Sequence, residues 1–126
     1  MLNIVKQIEY WQETAESNIE TASILVTAGK YIEAMFFCHL CIEKIVKALV
    51  VKQIKNIPPK SHDLFYLSNL AKLEISEGQS DFMQILMKYQ LEGRYPEYYP
   101  KAPSSDKINE YLYHTKSLLL CFSKML

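Results

Sequence analysis

The feature that most constrains the fold is the stretch of residues 31–52, YIEAMFFCHLCIEKIVKALVVK. Its apolar and small residues recur at the i, i+3, i+4, i+7 spacing of one helix face: Tyr31, Ala34, Cys38, Cys41, Ile42, Ile45, Ala48 and Leu49. Glu33, Lys44 and Lys47 fall largely outside this stripe. The pattern predicts one long helix with an apolar face broad enough to form the centre of a helical bundle.

Helical spacing also organises the N-terminal segment, through Ile4, Ile8, Trp11, Ala15, Ile19, Ala22, Ile24, Leu25 and Val26. It predicts a first helix over residues 4–27, with Gly29 as a left-handed cap after its C-terminus. Because the link to Tyr31 is so short, the second helix must return antiparallel beside the first. Pro58 and Pro59 forbid its continuation.

Two shorter helices are predicted after these prolines. Ser61 can cap a third helix, which Glu77 and Gly78 close, and its buried side holds Leu64, Leu67, Leu70, Ala71 and Leu73. A fourth helix starts at Ser80 or Asp81 and runs to about residue 91, with Phe82, Ile85, Leu86 and Tyr89 facing inward.

The C-terminal part begins with an irregular segment over residues 93–105 that holds three of the five prolines and three tyrosines. Its composition predicts an ordered, packed loop. Ser105 or Asp106 then caps the last helix, whose inner face carries Ile108, Leu112, Thr115, Leu119 and Phe122. We therefore expect an all-α fold, an up-and-down four-helix bundle with an additional shorter helix, in one domain over residues 1–126.

Composition narrows the function classes. The 14 basic and 14 acidic residues give zero net charge, so no overall field attracts nucleic acid or anionic membrane, and any phosphate site must be local. The three cysteines cannot form a disulfide framework and suit a reducing compartment. There is no apolar run of the roughly 18 to 20 residues that span a bilayer, and no signal-peptide pattern. We expect a cytoplasmic protein without a membrane partner.

Two groups on the second helix can carry chemistry. Cys38 and Cys41 form a CxxC motif, but both lie on the apolar stripe and no second ligand pair occurs, so core cysteines are favoured over a metal or redox pair. His39, Glu43 and Lys47 follow one another at i+4 spacing. This flank is either a solvated polar surface with a Glu43–Lys47 ion pair, or a rigid support from which lysines bind phosphate.

Two loop motifs are also candidates. His62 and Asp63 stand at a predicted helix start, where capping or packing competes with acid–base chemistry. Arg94 and Tyr95 precede Pro96, so the guanidinium can be held as a planar fork for phosphate or carboxylate, and nearby Tyr98 and Tyr99 can stack on a base. The alternative is that Arg94 pairs with an acidic residue of the bundle while the tyrosines pack the loop.

Taken together, a Trp11 helix, GKYIEAMFFCHLCIEKIVKAL, SHDLFYL and GRYP occur in the order found in the HEPN domain (higher eukaryotes and prokaryotes nucleotide-binding), which this chain resembles over nearly its whole length. The resemblance implies a helical bundle that commonly forms homodimers, often encoded beside a nucleotidyltransferase partner in toxin–antitoxin pairs, with a nucleotide- or RNA-related role. Glu43, Lys44 and Lys47 match the family's helix-two pattern. His62 matches its HxL turn, and Arg94 with Tyr95 and Pro96 matches its RYP.

The chain departs from the ribonuclease members of that superfamily, which carry an Arg followed by a His after four to six residues. After Arg94 the next histidine is His114. Our leading hypothesis is a dimeric module that binds a nucleotide or RNA phosphate through Arg94, Tyr95, Lys44, Lys47, His62 and Glu43, with no cofactor, metal or assigned catalytic residue. The alternatives are a divergent metal-independent ribonuclease toxin, in which a histidine transfers the proton, and a non-catalytic interaction module.

Overall fold

The computed structural model describes residues 2–126 as an assembly of five α-helices. These are α1 (Ile4–Thr27), α2 (Tyr31–Ile54), α3 (Leu64–Leu70), α4 (Glu77–Met87) and α5 (Ser105–Ser123), with one 3₁₀ turn at Pro96–Tyr98. The described part of the chain contains no β-strand. Among residues 2–126, no helix is both long and apolar enough to cross a membrane. The expected all-α class is confirmed.

The α1–α2 hairpin forms as the sequence predicts. Gly29 adopts φ +77°, a left-handed conformation that is easy for glycine. The Gly29 N–H donates to the Val26 carbonyl at 3.0 Å and the Lys30 N–H donates to the Leu25 carbonyl at 2.9 Å, which is the Schellman pattern. These bonds satisfy two of the last carbonyls of α1 and reverse the chain, so that α2 begins directly after Lys30.

Helix α2 is the centre of the fold, as its sequence predicts, and it contacts each of the other four α-helices. Its buried residues between 34 and 51 lie on nearly every face of the helix. The largest fully buried apolar side chains on α2 are Met35, Ile42, Ile45 and Val46. Cys38 and Cys41 are also fully buried, and burial raises the pKa of both thiols, that of Cys38 to about 11. The core interpretation of both cysteines is confirmed.

The predicted boundary between the third and fourth helices is wrong. Helix α3 ends at Leu70, and Lys72 follows in a left-handed conformation with φ 55°. Glu77 and Gly78 do not close α3, because they lie in the first turn of α4. The Ser76 side chain accepts from the Gln79 N–H and the Gln79 side chain accepts from the Ser76 N–H, a capping box that starts α4 three to four residues before the predicted position.

The segment after α4 is less packed than its composition suggests. Tyr95 and Tyr98 are 71% and 69% exposed, so the prediction of a packed loop fails for these two rings. Tyr99 is half-buried, and Tyr89 at the start of the segment is buried and donates its hydroxyl hydrogen to the Lys101 carbonyl. The loop is thus held at Tyr89 while the side chains of residues 94–98 face solvent.

Candidate functional site

The site is built around Glu43, a fully buried carboxylate on α2. Its Oε2 atom accepts from Lys44 Nζ at 2.8 Å and from Lys47 Nζ at 3.1 Å. Its Oε1 atom accepts from His62 Nδ1 at 2.9 Å. Lys47 reaches Glu43 from the next turn of the same helix, and His62 arrives from the loop before α3. Three donors therefore converge on one carboxylate.

The charge on Glu43 is stabilised by these donors. Burial alone would raise the pKa of Glu43, but the hydrogen bond and charge of Lys44, joined by His62 and Lys47, outweigh it and lower the pKa below its ordinary value. Glu43 is thus an ionised group in the interior. A buried charge is costly unless it is paired and hydrogen-bonded, and the contacts from Lys44, Lys47 and His62 meet this requirement for Glu43.

Trp11 on α1 completes this arrangement from the other side. The Nζ atoms of Lys44 and Lys47 lie 5.5 and 5.3 Å from the centroid of its ring. A cation near the face of an indole gains about 0.5–2 kcal/mol, more when water is excluded. The Trp11 Nε1 is buried and has no hydrogen-bond partner among the described residues. Trp11 thus serves mainly as a wall that shields the two ammonium groups.

His39 lies one turn before Glu43 and positions the loop that carries His62. Its Nε2 is 3.1 Å from the backbone carbonyl of His62, so Nε2 carries the hydrogen and donates. Burial lowers the pKa of His39 to about 4, so the ring is neutral at physiological pH. His39 Nδ1 is 3.9 Å from Glu43 and without a hydrogen-bond partner in the described chain, so this approach is not an ion pair.

His62 connects the buried carboxylate to the surface. Its backbone is fixed by His39 and by the next residue, Asp63, which caps α3 by accepting from the N–H groups of Phe65 and Tyr66. The capping role predicted for the His62–Asp63 turn is confirmed at Asp63. The prediction that Ser61 caps this helix is wrong, because the Ser61 hydroxyl instead accepts from the Asp63 N–H at 3.1 Å. The His62 side chain is 36% exposed, and its Nε2 lies 3.0 Å from Oε2 of Glu92, which follows α4. Both ring nitrogens of His62 therefore face carboxylate oxygens, one buried and one exposed.

The structure brings together four of the six predicted site residues, Glu43, Lys44, Lys47 and His62. The predicted Glu43–Lys47 ion pair is confirmed at 3.1 Å, but the prediction that this flank is solvated is wrong, because both side chains are buried. Periodicity along α2 cannot reveal this burial, since Trp11 of α1 provides the covering surface. Trp11, His39 and Glu92 were not predicted as site residues. Of these three, the sequence pointed only to His39, through its i+4 spacing from Glu43.

Arg94 and Tyr95, the other two predicted residues, lie on the exposed loop, and no hydrogen bond or salt bridge joins them to this cluster within residues 2–126. Arg94 Nη1 donates to the Lys88 backbone carbonyl at 3.2 Å, and within residues 2–126 the guanidinium has no salt bridge. The alternative in which Arg94 pairs with an acidic residue of the bundle is therefore wrong. The contact between Glu92 and His62 is the connection between this loop and the cluster.

The described residues do not provide a metal centre, since residues 2–126 hold no group of three His, Cys, Asp or Glu side chains arranged for a metal ion. His114, the nearest histidine after Arg94 in sequence, lies on α5. There it contacts Glu110 at 3.6 Å and the ring of Phe82. These contacts of His114 are with residues outside the Glu43 cluster.

The fold and the cluster define a class: a helical bundle whose central helix carries a buried, multiply paired carboxylate. The HEPN domain family model matches residues 8–125, and the chain belongs to this family. No curated protein matches the chain.

Two solved structures share the fold. The crystal structure of TT1696 from Thermus thermophilus is similar with a TM-score of 0.77 and 23% identity, over 95% of this chain and 98% of that one. The structure of ST0689, an archaeal HEPN homologue, is similar with a TM-score of 0.63 and 22% identity, over 94% of this chain and 96% of that one.

Proposed function

We propose that this HEPN-domain protein binds a phosphate group of a nucleotide or of RNA at the surface formed by Lys44, His62 and the loop that carries Arg94. One observation carries the proposal: two lysines and His62 converge on a single buried carboxylate, Glu43. Two lysine charges face the single carboxylate of Glu43, and Glu92 contacts the cluster through His62. Removing charged groups from water costs free energy, so a buried cluster of charged groups is a candidate functional site.

The exposure of the cationic groups divides their roles. The side chain of Lys47 is only 6% exposed, so Lys47 holds Glu43, whereas Lys44 at 18% and His62 at 36% reach solvent. Arg94 is exposed and uses only one guanidinium nitrogen for the Lys88 carbonyl. The remaining N–H groups can bind two phosphate oxygens as a fork, and the exposed ring of Tyr95 can stack on a base.

The charge of the whole chain favours a small ligand over an extended one. With 14 basic and 14 acidic residues, the protein has no excess of cations to follow an RNA backbone. A mononucleotide needs only two or three cationic contacts. ATP is therefore the first ligand to test.

The test is isothermal titration of the protein with ATP, compared with Arg94→Ala. Lys101→Ala is the matched control, because it removes an exposed positive charge from the same loop. We expect saturable binding by the wild type, at least about tenfold weaker binding by Arg94→Ala and little change for Lys101→Ala. No heat of binding by the wild type at two temperatures would reject ATP as the ligand.

A second candidate function, metal-independent RNA cleavage, is favoured by the orientation of His62. Its Nδ1 is fixed by a buried carboxylate while Nε2 points toward the surface, an arrangement suited to proton transfer. The spacing of Arg94 and His114 does not match the ribonuclease motif of the superfamily. Incubation of single-stranded RNA with chelator would test this candidate. Cleavage lost in both His62→Gln and Arg94→Ala would support it, and an intact substrate would reject it.

Homodimerisation and pairing with a nucleotidyltransferase, as in toxin–antitoxin systems, belong to the same proposal. Family membership supports both, and the exposed side chains of Tyr113 and Leu120, one heptad apart on α5, offer an apolar surface. Light scattering behind size exclusion should give twice the 14.7 kDa mass of the chain. A mass of one chain at micromolar concentration would contradict the dimer.

A further inference from the structure

The outward nitrogen of His62 is already occupied by an anionic group from the protein itself. Oε2 of Glu92 lies 3.0 Å from His62 Nε2, and the Glu92 side chain is 61% exposed. The other ring nitrogen is bound to Glu43, which is fully buried on the central helix. One carboxylate partner of His62 is thus fixed in the core, and the other belongs to the surface.

The two partners differ in how easily they can be displaced. Glu43 cannot leave without abandoning Lys44, Lys47 and His62 in a site shielded from water. Glu92 reaches His62 through an exposed polar contact, and such a contact contributes little because water and salt compete for both groups. An external anion can therefore replace Glu92 on His62 while the Glu43 contact keeps the ring oriented.

A phosphate oxygen suits the position that the Glu92 carboxylate occupies. Both are anionic acceptors of charge-assisted hydrogen bonds from nitrogen donors, and a phosphate has further oxygens for neighbouring donors. Lys44 is such a donor, because it shares the Glu43 carboxylate with His62. Arg94 follows Glu92 by only two residues, so one short segment carries both the internal anion and the predicted phosphate fork.

We infer that Glu92 is an internal competitor of the ligand: its carboxylate occupies the place on His62 that a phosphate oxygen takes on binding, and the ligand must displace it. This inference rests on the proposed phosphate-binding function. It makes Glu92 a residue that lowers affinity, in contrast to Arg94, which raises it. It also assigns His62 to the phosphate subsite rather than to a purely structural role.

The experiment compares ATP affinity of Glu92→Ala and Glu97→Ala by titration calorimetry at fixed ionic strength. Glu97 is an exposed carboxylate in the 3₁₀ turn of the same loop, so both variants lose the same charge but only Glu92→Ala vacates His62. We expect Glu92→Ala to bind ATP about fivefold more tightly than Glu97→Ala. In a His62→Ala background, Glu92→Ala should give no gain, because the contested nitrogen is absent.

The outcomes separate this inference from the function on which it rests. If the wild type binds ATP and Glu92→Ala binds no more tightly than Glu97→Ala, Glu92 does not compete and phosphate binding survives. If the gain persists in the His62→Ala background, Glu92 acts elsewhere and the inference is wrong. If neither the wild type nor Glu92→Ala binds ATP, the inference and the ATP site are rejected together. Circular dichroism melting of each variant verifies that the fold is retained.

Discussion

At the scale of single residues, His39 is a neutral histidine with a structural role. It is fully buried, its Nε2–H donates to the carbonyl of His62, and desolvation outweighs the attraction of Glu43. A neutral His39 therefore fixes the backbone of a histidine that points to the surface. The neighbouring Glu43 stays charged because three donors bind its carboxylate. His39 stays neutral because, within residues 2–126, no acceptor lies within hydrogen-bond distance of its second nitrogen, Nδ1.

The neutral state of His39 predicts the acid sensitivity of the fold. Its pKa is about 4 in the folded protein and about 6.5 in the unfolded chain, so the unfolded state binds the extra proton between these values. Above pH 6.5 His39 is neutral in both states and does not reduce the free energy of unfolding. As the pH falls from 6.5 toward 4, protonation of the unfolded chain lowers that free energy. For one proton the free energy of unfolding should fall by up to about 1.4 kcal/mol per pH unit in this window.

Urea unfolding of the wild type and His39→Gln between pH 7 and 5 measures this effect. Glutamine keeps a side-chain donor for the His62 carbonyl but does not titrate. The variant should show a shallower decline of the free energy of unfolding than the wild type. Equal slopes would show that His39 is not the group responsible.

At the scale of elements, helix ends explain where sequence-based prediction succeeds and fails. The first two helices are predicted to within about two residues, because Gly29 and the pair Pro58–Pro59 act locally. The α3–α4 boundary is misplaced because Lys72 adopts a left-handed conformation that favours glycine, so the end of α3 carries no glycine signal. The signal that α4 does carry is the pair Ser76 and Gln79.

The capping box predicts a measurable contribution to α4. Ser76→Ala removes the acceptor for the Gln79 N–H, which should lower the free energy of unfolding by about 1 kcal/mol. Ser80→Ala, inside the same helix, should cost less than about 0.5 kcal/mol because its hydroxyl has no capping role. Chemical denaturation compares the two variants, and hydrogen exchange at Gln79 reports the first turn directly. A Ser80→Ala cost equal to that of Ser76→Ala would contradict this assignment.

At the scale of the whole molecule, the Glu43 cluster joins segments that are distant in the chain. Trp11 of α1 lies near both lysines of α2, His62 enters from the loop before α3, and Glu92 follows α4. Because α2 packs against every other α-helix, the cluster lies on the element that all others share. The site and the stability of the bundle are therefore physically coupled.

Glu43→Gln tests this coupling. The amide is similar in shape but leaves two buried or half-buried lysines without their counter-charge, which should lower the free energy of unfolding by about 3–5 kcal/mol. Glu110→Gln is the control, since its pair with Lys107 on α5 is exposed on both sides and should contribute less than about 1 kcal/mol. Urea denaturation at pH 7 measures both. Similar losses for the two variants would show that burial adds nothing to the Glu43 contacts.

The sequence by itself determined the all-α class, the α1–α2 hairpin and the central position of α2, because periodicity, glycine and proline act over a few residues. It also indicated His39, Glu43 and Lys47 as neighbours on one helix. Only the tertiary structure decided that this flank is buried and that His62 and Glu92 join it. Burial of a charged residue depends on which other helix covers it and which distant donors satisfy it, and no local pattern contains that information.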